Sequence, residues 1–356
     1  MKLIQFLAVG GALIVSVFAE NKYVSEVRQN FASEVNDEIV KQIQRELTAS
    51  YVYQSYASFF GRADVALAGF QKFFSEASKE ERDHAQKLID YVNMRGGQVQ
   101  YDSIDLATAC AAMADLGILS SPRSRPYYVS EVRQNFGEKS NSDLNNQMAA
   151  FQRTSLVYMA YASYFGRSDV NLPGFRKFFL AASESALKDS QKVMDYINIR
   201  GGHQQFAIID MNAACKMMKA PKALQGAFPD HTPKICNFVL KKDPSASLKD
   251  KKGYFSSFFG GKKNQDQSSD EDWQTGLMGL SDALLMERTL NRQLIDVANG
   301  AAQRGDRHLR HTMEDVFLGQ KTERIKKLAD VITRLRHYTG EEYPLGEYVI
   351  DLEMSG

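Results

Sequence analysis

Glu46, Glu81, His84 and Glu287 are polar side chains on stripes otherwise built of Ile, Leu, Phe and Tyr. Ile39, Ile43, Glu46, Ser50, Tyr53, Ala57 and Phe60 follow alternating steps of three and four, which is one face of a helix. Phe70, Phe73, Ala77, Glu81, His84, Leu88 and Tyr91 do the same on a second, and Glu287 interrupts a third stripe of Leu277, Leu280, Leu284, Asn291 and Leu294. Buried carboxylates are rare unless they are paired or bind metal. Glu81 and His84, spaced i and i+3, project side by side, and Glu80 lies next to them. Carboxylates and an imidazole projecting inward from facing helices are how a helical bundle builds a di-iron centre. This donor set suits Fe(II), Mn or Zn, and the stripes hold no cysteine for a thiolate site. Tyr53, two turns from Glu46, is placed either to hydrogen-bond a metal-bound carboxylate or to serve as ordinary core. A lone Glu-x-x-His is common on helix surfaces; the chemistry rests on all four residues falling on inner stripes.

The elements that must position these groups come from a repeat. YVSEVRQNF occurs at 23–31 and again at 128–136, an offset of 105 residues that holds without a gap. YASFFGR recurs as YASYFGR, FQKFF as FRKFF, YVNMRGG as YINIRGG, and Cys110 falls on Cys215. Residues 20–115 and 127–220 are therefore two copies of one helix hairpin. Gly96-Gly97 ends the second helix of the first copy, as C-caps commonly do. A hairpin alone cannot bury both of its stripes. Residues 272–356 supply two further long helices and a short last one, GEYVIDLEM. Residues 221–271, rich in Lys, Asp, Ser, Gly and Gln, read as a polar linker. The fold class is all-α. The copies share packing but not chemistry: Glu46 becomes Phe151, Glu80 becomes Ser185, Glu81 becomes Ala186 and His84 becomes Asp189, while Tyr158 stands opposite Tyr53.

The first 19 residues, MKLIQFLAVGGALIVSVFA, have the charge, apolar run and small-residue end of a secretory signal peptide. No later stretch has the apolar length to span a membrane, which predicts a secreted protein. Three cysteines are too few for a disulfide scaffold, and pairing of Cys110 with Cys215, bonding to another chain and free thiols all stay open. A net charge of +1 excludes a nucleic-acid binder working through a strong basic field.

LTASYVYQSYASFFGRADVALAGFQKFFSEASKEERDHAQKLIDYVNMRGG resembles the first half of an animal ferritin heavy-type chain. DWQTGLMGLSDALLMERTLNRQL, KKLADVITRLR and LGEYVIDLEM resemble its second half, so copy 1 and the C-terminal part are covered. The resemblance implies a ferritin-like four-helix bundle with a short C-terminal helix and an additional, degenerate helix hairpin. It implies an iron-storage subunit that oxidises Fe(II) with oxygen at a di-iron centre and holds ferric mineral in a shell shared with other ferritin subunits. Glu46, Glu81 and His84 would hold one iron; Glu81 would bridge to a second, with Glu287 its other ligand. Glu80 would be a nearby carrier and Tyr53 the tyrosine beside the ligands. Glu314 matches the acids of the family's iron-entry channel and His311 replaces one, implying weaker, pH-dependent entry.

Two departures bear on that chemistry. The fourth helix should bring a glutamine to the centre, but the position is Lys321, and Gln320 is rotated by about 100°. Such a lysine either swings aside or pairs with Glu287 or Glu81 and fills the place of an iron. Either hairpin could pair with the C-terminal helices, since connections 98–139 and 203–272 both exceed the dozen extended residues needed to run along a bundle of about 40 Å. Pairing by copy 1 assembles the centre; pairing by copy 2 gives a non-catalytic light-type or carrier subunit of a mixed shell. Joining of two tandem genes would also produce the repeat and would leave the chemistry of copy 1 untouched.

Overall fold

The computed structural model describes residues 27–109, 130, 132–218 and 276–356. The signal-peptide segment, the linker 221–271, Cys110 and Cys236 lie outside these residues. Two helix hairpins come first: α1 (Ser33–Phe60) with α2 (Ala68–Met94), then α3 (Glu138–Phe165) with α4 (Pro173–Ile199). A short α5 (Met211–Met218) follows, and then α6 (Gly276–Gln303). Next come α7 (Arg307–Thr312), a wider π-type turn (Met313–Leu318) and α8 (Gly319–Arg336), followed by the closing helix α9 (Tyr343–Ser355). Gly96 and Gly201 stop α2 and α4 in the left-handed region, at φ 70° and 68°, where a side chain would be strained.

The second hairpin, not the first, takes the C-terminal helices. α3 and α4 with α6 and α7–α8 form the four-helix bundle, and α9 closes one end against α4. Phe165, Phe175 and Phe179 are fully buried at that end. Gly276 and Gly279 of α6 leave room for these rings, since an added Cβ would run into Phe175 at the first and into Phe165 and Phe179 at the second. Each such ring contributes about 1.5–3 kcal/mol on burial. Asp351 of α9 accepts from the backbone N–H of Phe175 at 2.9 Å. The sequence left the choice of hairpin open, and its physics is plain in the interior. Copy 2 offers Phe151, Tyr158 and Ala186 where copy 1 would bury Glu46 and Glu81 beside Glu287, and uncompensated carboxylates are costly in a core.

The first hairpin packs on the outer side of the second through a pseudo-twofold relation. Ile104 and Ile209, 105 residues apart, form a reciprocal antiparallel bridge with N–H to O distances of 2.8 and 3.1 Å. Asn93 donates to the carbonyl of Ser163, and its equivalent Asn198 donates to the carbonyl of Ser58, both at 3.0 Å. This is the reciprocity of an isologous interface, made within one chain. Arg82 breaks the symmetry: its Nη2 donates to Ser155 and Ser183 at 2.8 and 3.1 Å, while copy 2 has Leu187 in its place. Arg82→Ala is expected to loosen the first hairpin by about 1.5–3 kcal/mol. Hydrogen exchange should then rise in α1 and α2 and stay unchanged in α6 and α8; equal acceleration in both would refute a local role.

Candidate metal centre

Glu46 lies at mid-length on α1, and Glu81 and His84 lie at mid-length on α2. Their ligand atoms come within 4.8 Å of one another, the one such His/Cys/Asp/Glu group found among the described residues. His84 Nδ1 is 3.3 Å from Oε2 of Glu81 and 3.8 Å from Oε2 of Glu46. Gln42, one turn before Glu46, donates to its Oε1 at 2.6 Å. The two carboxyls share a hydrogen bond, which raises Glu81 above the usual carboxylate range, with burial adding to the rise. Burial pushes Glu46 the same way, but bonding from Glu81 and Gln42 and the nearby His84 outweigh it and hold Glu46 low. Two carboxyls this close favour a cation between them, because opposite charge stabilises both ionised forms. The cluster is open: the His84 side chain is 52% exposed.

Glu287 does not join this group, which corrects the four-residue set expected from the sequence. Because α6 pairs with the second hairpin, Glu287 is buried in that bundle. There its Oε2 is 2.9 Å from Nζ of Lys321, and its Oε1 accepts from the Tyr158 hydroxyl at 3.0 Å. Lys321, buried to 1% exposure, also stands 3.4 Å from Asp189 and 5.0 Å from the centre of the Phe151 ring. Arg324 approaches Asp189 at 3.7 Å. Burial and the neighbouring Glu287 carboxylate push the Tyr158 hydroxyl well above its ordinary value, so it stays a donor. The ammonium therefore sits where an inward-facing carboxylate pair would otherwise hold a cation.

The remaining site residues divide. Glu80 is exposed beside Glu81 and outside the ligand group. Tyr53 packs its ring on Phe74, at 5.9 Å between centroids; the tyrosine-to-glutamate bond expected of it is made in copy 2 by Tyr158. His311 and Glu314 are exposed and pair along the helix, with Asp315 at 3.4 Å and Arg310 at 2.8 Å. One participant went unread in the sequence: Gln42, although its i, i+4 spacing to Glu46 was a visible signal. Asp189 was read only as the replacement of His84; its further signal was that of an acid on the same inner stripe of α4 as Ala186 and Tyr196.

A family model of the ferritin-like domain matches residues 36–124 and 141–337. The chain is 37% identical over 238 residues to a yolk ferritin of Lymnaea stagnalis, covering 65% of this chain and 92% of that one. It is 53% identical over 81 residues to a soma ferritin of the same organism, 23% of this chain and 47% of the relative. It is 27% identical over 227 residues to a ferritin lower subunit of Aquarana catesbeiana, 64% of this chain and 99% of that subunit.

Proposed function

The chain belongs to the ferritin family of iron-storage proteins, and from that premise we propose that it oxidises Fe(II) with dioxygen at the first hairpin and passes the ferric product to a multi-subunit store. The observation that carries this reading is the Glu46, Glu81 and His84 group, whose ligand atoms lie within 4.8 Å. Iron is the substrate here. Carboxylate oxygens hold the harder Fe(III) more firmly than Fe(II), so the same ligands that bind the ion favour its oxidation. Each Fe(II) gives up one electron, and two together reduce dioxygen to hydrogen peroxide with uptake of two protons. Glu80, exposed beside Glu81, is placed to hand ions to the site.

Within this reading Lys321 keeps the centre formed by the second hairpin and the C-terminal helices free of metal. Cys215 is disulfide-bonded, which fits an oxidising compartment and the secretory leader expected at 1–19. Among the described residues no helix is long and apolar enough to cross a membrane.

The test is aerobic addition of Fe(II) to the purified chain, followed by ferric absorbance and by iron content after gel filtration. Oxidation faster than buffer, with iron co-eluting with protein, is expected. A rate equal to buffer would sink the oxidase reading, and iron that elutes apart from protein would sink storage by this chain.

A further inference from the structure

We propose that the open face of the first hairpin is completed by the same face of a second copy of this chain, giving a twofold four-helix bundle with a shared two-metal site. This rests on the reading of Glu46, Glu81 and His84 as metal ligands.

The chain itself shows that this face is built to be covered. Its equivalent in copy 2 is buried under α6 and α8: Phe165, Phe175 and Phe179 are 0% exposed and Asp189 is 2% exposed. In copy 1 the corresponding Phe70 is 54% exposed and Tyr91 is 37% exposed. Phe60 stacks on Phe70 at 5.1 Å and on Phe74 at 5.4 Å along the same face. A single α6–α8 pair cannot cover two hairpins, and within this chain it covers copy 2.

The ligand count selects the occupant. A two-metal site in a bundle takes one Glu from each of two helices and a Glu-x-x-His from each of the other two. The first hairpin carries one Glu on α1 and one Glu-x-x-His on α2, which is half of that set. A second copy supplies the other half, whereas another α6–α8 pair would bring Glu287 together with the Lys321 ammonium.

Register agrees. The midpoint of Ser33–Phe60 falls next to Glu46, and the midpoint of Ala68–Met94 is Glu81. A twofold axis through the ligand cluster therefore aligns both helices over their full length. It also sets the aromatic end at Phe60, Phe70 and Phe74 against the aliphatic end at Ile39 and Leu88 of the other copy, so large side chains meet smaller ones. Such a contact is isologous and closes on itself.

The experiment is sedimentation equilibrium of the full chain without oxygen, in chelator and then with Co(II), with cobalt counted per chain from its visible absorbance. A doubling of particle mass at one Co(II) per chain, reversed by chelator, is expected. Phe70→Asp should weaken the doubling at least tenfold, and His84→Ala should abolish it. Cobalt bound at one per chain with no change of mass would overturn the proposal and leave the iron-site reading standing. Doubling that persists in chelator and in His84→Ala would overturn the shared metal site. Protection of α1 and α2 from hydrogen exchange without any doubling would overturn it in favour of a segment of the same chain. No cobalt bound, together with no iron oxidation, would remove the ligand reading on which the proposal rests.

Discussion

His84→Ala is expected to lower protein-dependent Fe(II) oxidation at least ~100-fold, to the level of buffer, because loss of even an outer partner of a metal ligand costs 10–100-fold. Glu81→Ala should do the same, since Glu81 touches both the imidazole and, through a shared hydrogen bond, Glu46. Neither change threatens the fold. His84 is 52% exposed and Glu81 is 23% exposed at their side chains, and alanine is the best helix former. The contrast that gives the test its force is Glu287→Gln. The amide keeps the volume and can still accept from Tyr158, and Lys321 keeps Asp189 as a partner. Its expected oxidation rate is within about twofold of the parent, because the carboxylate belongs to a different bundle. Stopped-flow ferric absorbance on the three variants, with thermal unfolding to confirm that each is folded, reads the outcome. Loss of oxidation in a folded Glu287→Gln would mean that α6 and α8 pair with the first hairpin in the working molecule.

That contrast also marks where the sequence stopped being informative. The helices were legible because polar and apolar residues alternate in steps of three and four over 27 or 28 residues. The closeness of Glu46, Glu81 and His84 followed from two stripes joined by a short turn, and Lys321 was placed inward by the phase it shares with Leu328 and Ile332, all three of which are buried. The choice of hairpin was not legible, because both copies keep the same apolar framework and both connections are long enough to reach. What decides it is a match between distant positions, Asp189, Phe151 and Ala186 of the second hairpin with Lys321 and Glu287 of the C-terminal helices, and such a match has no local signature. The pseudo-twofold seam was hidden for the same reason. Asn93 and Asn198 look like ordinary polar residues near helix ends until each is seen to donate across to the other copy.

The Lys321 cluster yields the largest expected change in stability. Lys321→Met removes the one ammonium within 4 Å of both Glu287 and Asp189, and leaves two carboxylates buried at 3–4% side-chain exposure without it. Neither remaining cation replaces it: Arg324 stands 3.7 and 4.0 Å away and is 29% exposed, and Lys192 reaches only Asp189, at 3.3 Å, and is 41% exposed. Breaking a buried ion pair from one side typically costs about 3–5 kcal/mol. The denaturant midpoint of the α3–α4–α6–α8 bundle should fall accordingly, while oxidation at the first hairpin continues. Removing the charges together should reverse the loss. The triple change Lys321→Met, Glu287→Gln, Asp189→Asn leaves no buried charge to compensate, and neutral replacements of such triads are often as stable as the original or more so. A triple variant as unstable as Lys321→Met would show that packing around Phe151, not charge pairing, holds this centre together. Recovery would show that the charges serve to match α8 to the second hairpin more than to stabilise it, since Asp189 is the partner that the first hairpin, with His84 at the same position, cannot offer.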